Sequence, residues 1–67
     1  VSPEDGASAI IEGLQFGDED TRKGMRFLAK AVLGVQEEAI ESIKDGSLPK
    51  EAAIGLLKRN MSLDPRL

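Results

Sequence analysis

The sequence predicts an all-α protein, a small three-helix domain with a long central helix. Two observations lead to this prediction. Apolar residues recur at steps of three and four along most of the 67 residues, and no stretch alternates apolar and polar residues as a strand would. Residues that favour helix starts and stops divide the chain into segments of about 3–16, 19–45 and 49–61. We expect these three helices to form a single domain.

The first helix has signals at both ends. Ser2 is placed as an N-cap, Pro3 takes the first helical position, and Gly17 follows the last apolar residue. The apolar face consists of Ala7, Ile10, Ile11 and Leu14. Because these residues are spaced by three and four, the segment is predicted to be a short amphipathic helix.

The central helix begins at an abrupt change of charge in the stretch GDEDTRKGMRF. Asp18, Glu19 and Asp20 stand where the positive end of the helix dipole is expected, with Asp18 placed to cap free backbone N–H groups. A calcium loop would need a glycine at its sixth position and a glutamate at its twelfth, and Lys23 and Ala29 occupy those places. The acids therefore indicate a helix start rather than a metal site.

An apolar seam follows along the same helix, formed by Met25, Leu28, Val32, Val35 and Ala39. Phe27 projects about 140° away from the centre of that seam. Either the first helix or a second subunit covers Phe27, or the helix breaks near Gly24 or Gly34. We expect a protein interface to include Met25, Phe27, Leu28, Val32, Val35 and Ala39.

The third helix is separated from the second by a glycine and opened by a proline. Gly46 is a helix stop, and Pro49 is a first-turn residue. The inward face is predicted to carry Ala52, Ala53, Leu56, Leu57 and Met61. The segment is thus a third amphipathic helix, joined to the second by a tight turn.

The composition predicts a marginal core. Apolar bulk comes from aliphatic residues, since the chain has two Phe and no Tyr or Trp. Domains of this size usually need disulfides, a metal or a partner, and the chain contains neither Cys nor His. Oligomerisation or docking onto a larger protein is therefore expected. With no long apolar run, we predict a cytoplasmic protein that does not enter a membrane.

Charge is distributed unevenly along the chain. Six carboxylates and no cation precede Arg22, whereas nine cations and six carboxylates lie from Arg22 onward. The two parts can therefore attract each other within one chain or between copies.

The sequence offers little for catalysis. Without His or Cys, the common triads and dyads are excluded. The Ser47–Lys50 pair matches a Ser-x-x-Lys spacing, but Ser47 and Pro49 are better explained by the start of a helix. We expect no catalytic residue, cofactor or metal, and predict a non-enzymatic protein interaction and assembly module.

A small DNA-associated regulator is the alternative. Residues 43–60 have the outline of helix, turn and helix. The cations available for phosphate contacts are Arg22, Lys23, Arg26 and Lys30. A sequence pI of about 4.8 disfavours this alternative, because DNA-binding domains usually carry a basic surplus.

Overall fold

The computed structural model describes the backbone of residues 2–63 and the side chains of residues 2–62. Four α-helices account for most of this part of the chain: α1 (Pro3–Phe16), α2 (Glu19–Phe27), α3 (Glu37–Lys44) and α4 (Lys50–Leu63). A π-helical segment, Leu28–Val32, continues α2 without interruption. The described residues contain no strand, which confirms the all-α prediction.

Helix α1 begins and ends as the sequence predicts. The backbone N–H of Asp5 donates to Oγ of Ser2 over 3.1 Å, which satisfies one of the free donors of the first turn. At the other end, the N–H of Gly17 donates to the carbonyl of Gly13. The four predicted core residues of this helix are all buried.

The central element of the packing is α1, which contacts α4, α2 and α3. Its approach to α2 depends on two glycines. A Cβ atom at Gly13 would lie 2.5 Å from Cγ of Met25, and one at Gly17 would lie 2.6 Å from Cγ2 of Thr21. Both distances are shorter than van der Waals contact, so the glycines are required for this close packing. The G-x-x-x-G spacing thus serves a helix contact within the domain.

The prediction of three helices with an unbroken central helix over 19–45 is wrong. The chain leaves the helix at residues 33–36 and starts again at Glu37, so the predicted central helix is an α2–π unit followed by a separate α3. Of the two break points considered, the chain breaks at Gly34 and continues through Gly24.

Gly34 ends the helix because it adopts a left-handed conformation, with φ of 73°. The N–H of Leu33 then donates to the carbonyl of Leu28, and the N–H of Val35 donates to that of Ala29. These wide hydrogen bonds satisfy carbonyls that an α-helix end would leave free. Val35 turns into the core and is 3% exposed.

The turn between α3 and α4 follows the predicted signals. Gly46 has φ of 82°, and the N–H of Ser47 donates to Oδ1 of Asp45 over 2.8 Å. Helix α4 begins at Lys50, directly after Pro49, so its predicted start at 49 is correct to one residue.

The helices share one core cluster. Its buried members are Ala7, Ile10, Ile11, Leu14, Ala29, Leu33, Val35, Ile40, Ile43, Ala53 and Leu57. The largest side chains are aliphatic, and burying each contributes about 1.5–3 kcal/mol. Neither Phe contributes to this core.

Candidate protein interaction surface

Helix α2 differs from the other helices whose burial is described, because none of its nine residues is buried. Phe27, at its end, is 66% exposed. The first helix therefore does not cover this side chain, which was one of the explanations open at the sequence level. A large aromatic side chain left in water costs free energy that a partner could recover by burying it.

An apolar groove of about 700 Å³ opens beside α2. It lies between the first half of α1, the α2–π unit and the last turns of α4. Its walls are formed by Ser2, Pro3, Gly6, Ala9, Ile10, Met25, Leu28, Val32, Leu33, Met61 and Ser62. None of these residues is charged, although 31% of the chain is. Both methionines of the chain line the groove, and methionine adapts readily to differently shaped partners.

The structure separates the six predicted interface residues into three groups. Met25, Leu28 and Val32 line the groove, where they are half-buried against the core. Phe27 is exposed, and Ala39 packs against the core from α3. Val35 lies inside the core, which removes it from any interface that the folded domain can offer.

Three neighbouring positions connect Phe27 to the groove. Gly24 precedes Phe27 by three residues and Leu28 by four, so all three share one side of the helix. Ala31 follows Phe27 by four residues and is exposed. Phe27 does not line the groove, but it directly precedes Leu28, which does. We call the exposed and groove-lining residues of this stretch the α2 face: Gly24, Phe27, Leu28, Ala31 and Val32.

Packing within the described part of the domain does not require a glycine at position 24. Gly24 is exposed within the helix, and a Cβ atom placed on it would meet nothing within 4 Å. Glycine at such a position costs about 1 kcal/mol relative to alanine. The open space at Gly24 is therefore available to a side chain from outside the domain.

Sequence reasoning missed Phe16 and the groove walls supplied by α1 and α4. Phe16 is 81% exposed at the end of α1. The exposure of Phe16 could have been predicted from its spacing, because it lies about 180° from Ala7, a residue of the apolar face, on an ideal helix. The groove walls had no such signal, because they come from three helices that only the tertiary fold brings together.

Two of the four predicted phosphate-binding cations are engaged within the domain. Arg26 forms ion pairs with Glu37 and, at 2.9 Å, with Glu41. Lys30 pairs with Glu37 at 3.0 Å. These pairs connect the α2–π unit to α3 across the break in the chain. Their side chains are about 40–55% exposed, so each pair contributes less than about 1 kcal/mol.

The remaining two cations, Arg22 and Lys23, lie on the exposed surface of α2. Arg22 is close enough to Asp18 to favour that carboxylate electrostatically. Lys23 forms no ion pair with the described residues. The four cations therefore do not form an unopposed basic stripe.

Two carboxylates have lowered pKa values because they cap backbone turns. The N–H of Thr21 donates to Oδ1 of Asp18 over 2.8 Å, and this bond is the main cause of the lowered pKa of Asp18. Hydrogen bonds from Ser47 lower the pKa of Asp45 in the same way. Asp18 thus performs the capping role that the charge reversal predicts.

In the part of the chain that the structure describes, the core contains no polar or charged residue. Nor do the described carboxylates form a group of three that could hold a metal ion. Among the same residues, no helix has the length and apolar character needed to cross a membrane.

Comparisons with models of protein families, with curated proteins and with solved structures found no match to this chain.

Proposed function

We propose that the protein is a non-enzymatic protein interaction and assembly module that acts in a homo-oligomer or in a larger complex. The observation that carries this proposal is the α2 face, where an exposed Phe27 lies next to Leu28 at the wall of an uncharged groove. Protein interfaces are typically centred on such apolar and aromatic residues, with charged groups kept to the rim.

The charges around the α2 face have the arrangement of an interface rim. Asp20 and Lys23 flank Phe27 on the same helix, and both are exposed. A partner that buries the aromatic ring would contact the aliphatic part of Lys23, whose charged end can stay in water. Keeping that charged end in water limits the desolvation cost that burial of ionic groups adds to association.

The composition supports the non-enzymatic part of the proposal, since the chain offers neither an imidazole base nor a thiol nucleophile. The groove itself is lined by apolar side chains with two serine hydroxyls at its edge. Such a lining suits apolar contact better than bond making. A cytoplasmic location remains a prediction of the sequence.

The DNA-binding alternative is weakened by the pairing of Arg26 and Lys30 with Glu37 and Glu41. A phosphate group would have to compete with these carboxylates for the same cations. We therefore favour a protein partner.

Photo-crosslinking in the native host tests this proposal. A benzoylphenylalanine residue placed at position 27 should capture a protein, either a second copy or a different chain. The same probe at position 16 is the matched control, because Phe16 is even more exposed, and neither it nor its helix neighbours Glu12 and Gly13 line the groove. Equal capture at the two positions, or capture at neither in a folded variant, would contradict the proposed function.

A further inference from the structure

The α2 face has an exposed glycine and an exposed aromatic side chain one helical turn apart. Gly24 leaves open space on the helix surface, and Phe27 projects from the same side. Two helices that cross antiparallel about a twofold axis midway between these residues would place each Phe27 over the other copy's Gly24. A glycine at the crossing allows helix axes to approach to about 8 Å.

Charge along α2 determines which relative direction is favourable. Glu19 and Asp20 lie at its start, whereas Lys23 lies at its middle and Lys30 lies beyond its end. A parallel pair would bring acids against acids and lysines against lysines. An antiparallel pair instead places Asp20 of one copy opposite Ala31 and beside Lys30 of the second copy. Lys30 is 55% exposed, so a second carboxylate can reach it.

The helix dipoles favour the same direction, because the positive start of each α2 then adjoins the end of its neighbour. The sequence as a whole is consistent with this pairing. All six carboxylates that precede Arg22 stand in a part of the chain with no cation, and the cations follow. Three of these carboxylates, Asp18, Glu19 and Asp20, stand at the start of α2, where they can approach Lys30 of a reversed copy.

The surface area that a stable dimer must bury determines how many residues of the α2 face have to lie in the contact. A specific interface buries at least about 600 Å² on each partner, which is about one seventh of the 4375 Å² surface of this chain. Phe27 alone cannot supply that area. Ala31, one turn beyond Phe27, and Leu28, which lies between Phe27 and the groove, extend the contact.

We propose that the partner on the α2 face is a second copy of this chain, bound through an antiparallel α2–α2 contact in which Phe27 packs over Gly24. This inference rests on the proposed function and specifies its partner.

Disulfide trapping tests the direction of the contact, since the chain has no cysteine of its own. Asp20→Cys and Ala31→Cys are produced separately, mixed, and oxidised gently at micromolar concentration. The products are identified by intact mass. Because Asp20 faces Ala31 in the antiparallel pair, the mixed disulfide should exceed each homodisulfide about tenfold, well above the statistical ratio. Glu51→Cys, on the exposed side of α4, replaces Asp20→Cys in the control mixture and should give no such excess.

Three other results would overturn the inference, and each has a different meaning. Preferred homodisulfides would indicate a parallel pair. A statistical mixture, with the wild type dimeric by sedimentation velocity, would place the dimer contact elsewhere. A wild type that stays monomeric to high micromolar concentration would exclude the second copy, while photo-crosslinking at position 27 to a different protein would leave the proposed function standing.

Two exposed glycines supply a second, independent measurement. Gly24→Gln and Gly55→Gln each add the same side chain to a helix position where a Cβ meets nothing within 4 Å. Both should raise helicity in the monomer. Only Gly24→Gln should weaken dimerisation, by about tenfold or more in Kd, since it fills the space that Phe27 requires. Equal dimerisation of the two variants would overturn the proposed contact.

Discussion

Helices α1 and α2 pack side by side, yet they use their apolar residues in opposite ways. Helix α1 buries Ala7, Ile10, Ile11 and Leu14 within its 14 residues, and it contacts all the other helices. Helix α2 buries none of its nine residues and ends in an exposed Phe27. The difference separates two tasks: α1 organises the core, whereas α2 offers its apolar surface to the outside.

Helix α2 is nonetheless attached to the domain at several points. Met25 packs closely at Gly13, the π segment buries Ala29, and the ion pairs of Arg26 and Lys30 connect it to α3. A binding helix can therefore be held in position without contributing a fully buried side chain. This attachment leaves the α2 face preorganised for a partner, which reduces the ordering cost of association.

The largest expected effect is that of truncating a core residue of α1. Ile11 is 1% exposed, and Ile11→Ala should lower the free energy of unfolding by about 2–5 kcal/mol. In so small a domain this loss would remove most of the folded population. Phe27→Ala should change monomer stability by less than about 0.5 kcal/mol. Urea denaturation at low protein concentration measures both values without a contribution from association.

Similar losses for Ile11→Ala and Phe27→Ala would erase the distinction between the two helices. It would mean that Phe27 is covered within the monomer, contrary to its exposure. Circular dichroism of both variants before denaturation is the control, because each must be compared from a folded starting state.

An intermediate effect is expected at the break that separates α2 from α3. Gly34→Ala forces a side chain into the left-handed region at φ of 73° and should destabilise the domain by about 1–2 kcal/mol. Gly55→Ala is the matched control in a helix interior and should stabilise it by up to about 1 kcal/mol. Thermal unfolding of both variants gives the comparison. A neutral or stabilising Gly34→Ala would show that the chain does not need a break at this position.

The smallest expected effect concerns the cap of α2. The folded pKa of Asp18 is lowered, so its carboxylate contributes stability above the unfolded pKa, and this contribution is lost as pH falls through the folded value. Asp18→Asn is the control, because asparagine also caps helices but does not titrate. The stability advantage of the wild type over Asp18→Asn should therefore decrease from about pH 7 to about pH 2.

Comparing the wild type with Asp18→Asn removes the contribution of the other carboxylates, because both proteins contain them. Urea midpoints measured across this range give the difference directly. A difference that stays constant with pH would show that the charge of Asp18 does not contribute to capping.

Local signals in the sequence were enough to predict the helical class, the bounds of α1, and the caps at Ser2 and Asp18. They succeed because capping and helical periodicity depend on residues within one or two turns. The position of Phe27 away from the apolar seam was also readable locally, since it follows from helix geometry alone. Gly34 was recognised as one of two break points, but local information could not choose between it and Gly24.

Only the tertiary structure decided that choice, together with the burial of Val35 and the shape of the groove. The break occurs at Gly34 because Val35 can then enter a core that α1, α3 and α4 complete. The groove has walls from three helices, and the ion pairs of Arg26 join residues 11 and 15 positions apart. These features depend on contacts between elements distant in sequence. The free energy of such contacts cannot be inferred from a local sequence pattern.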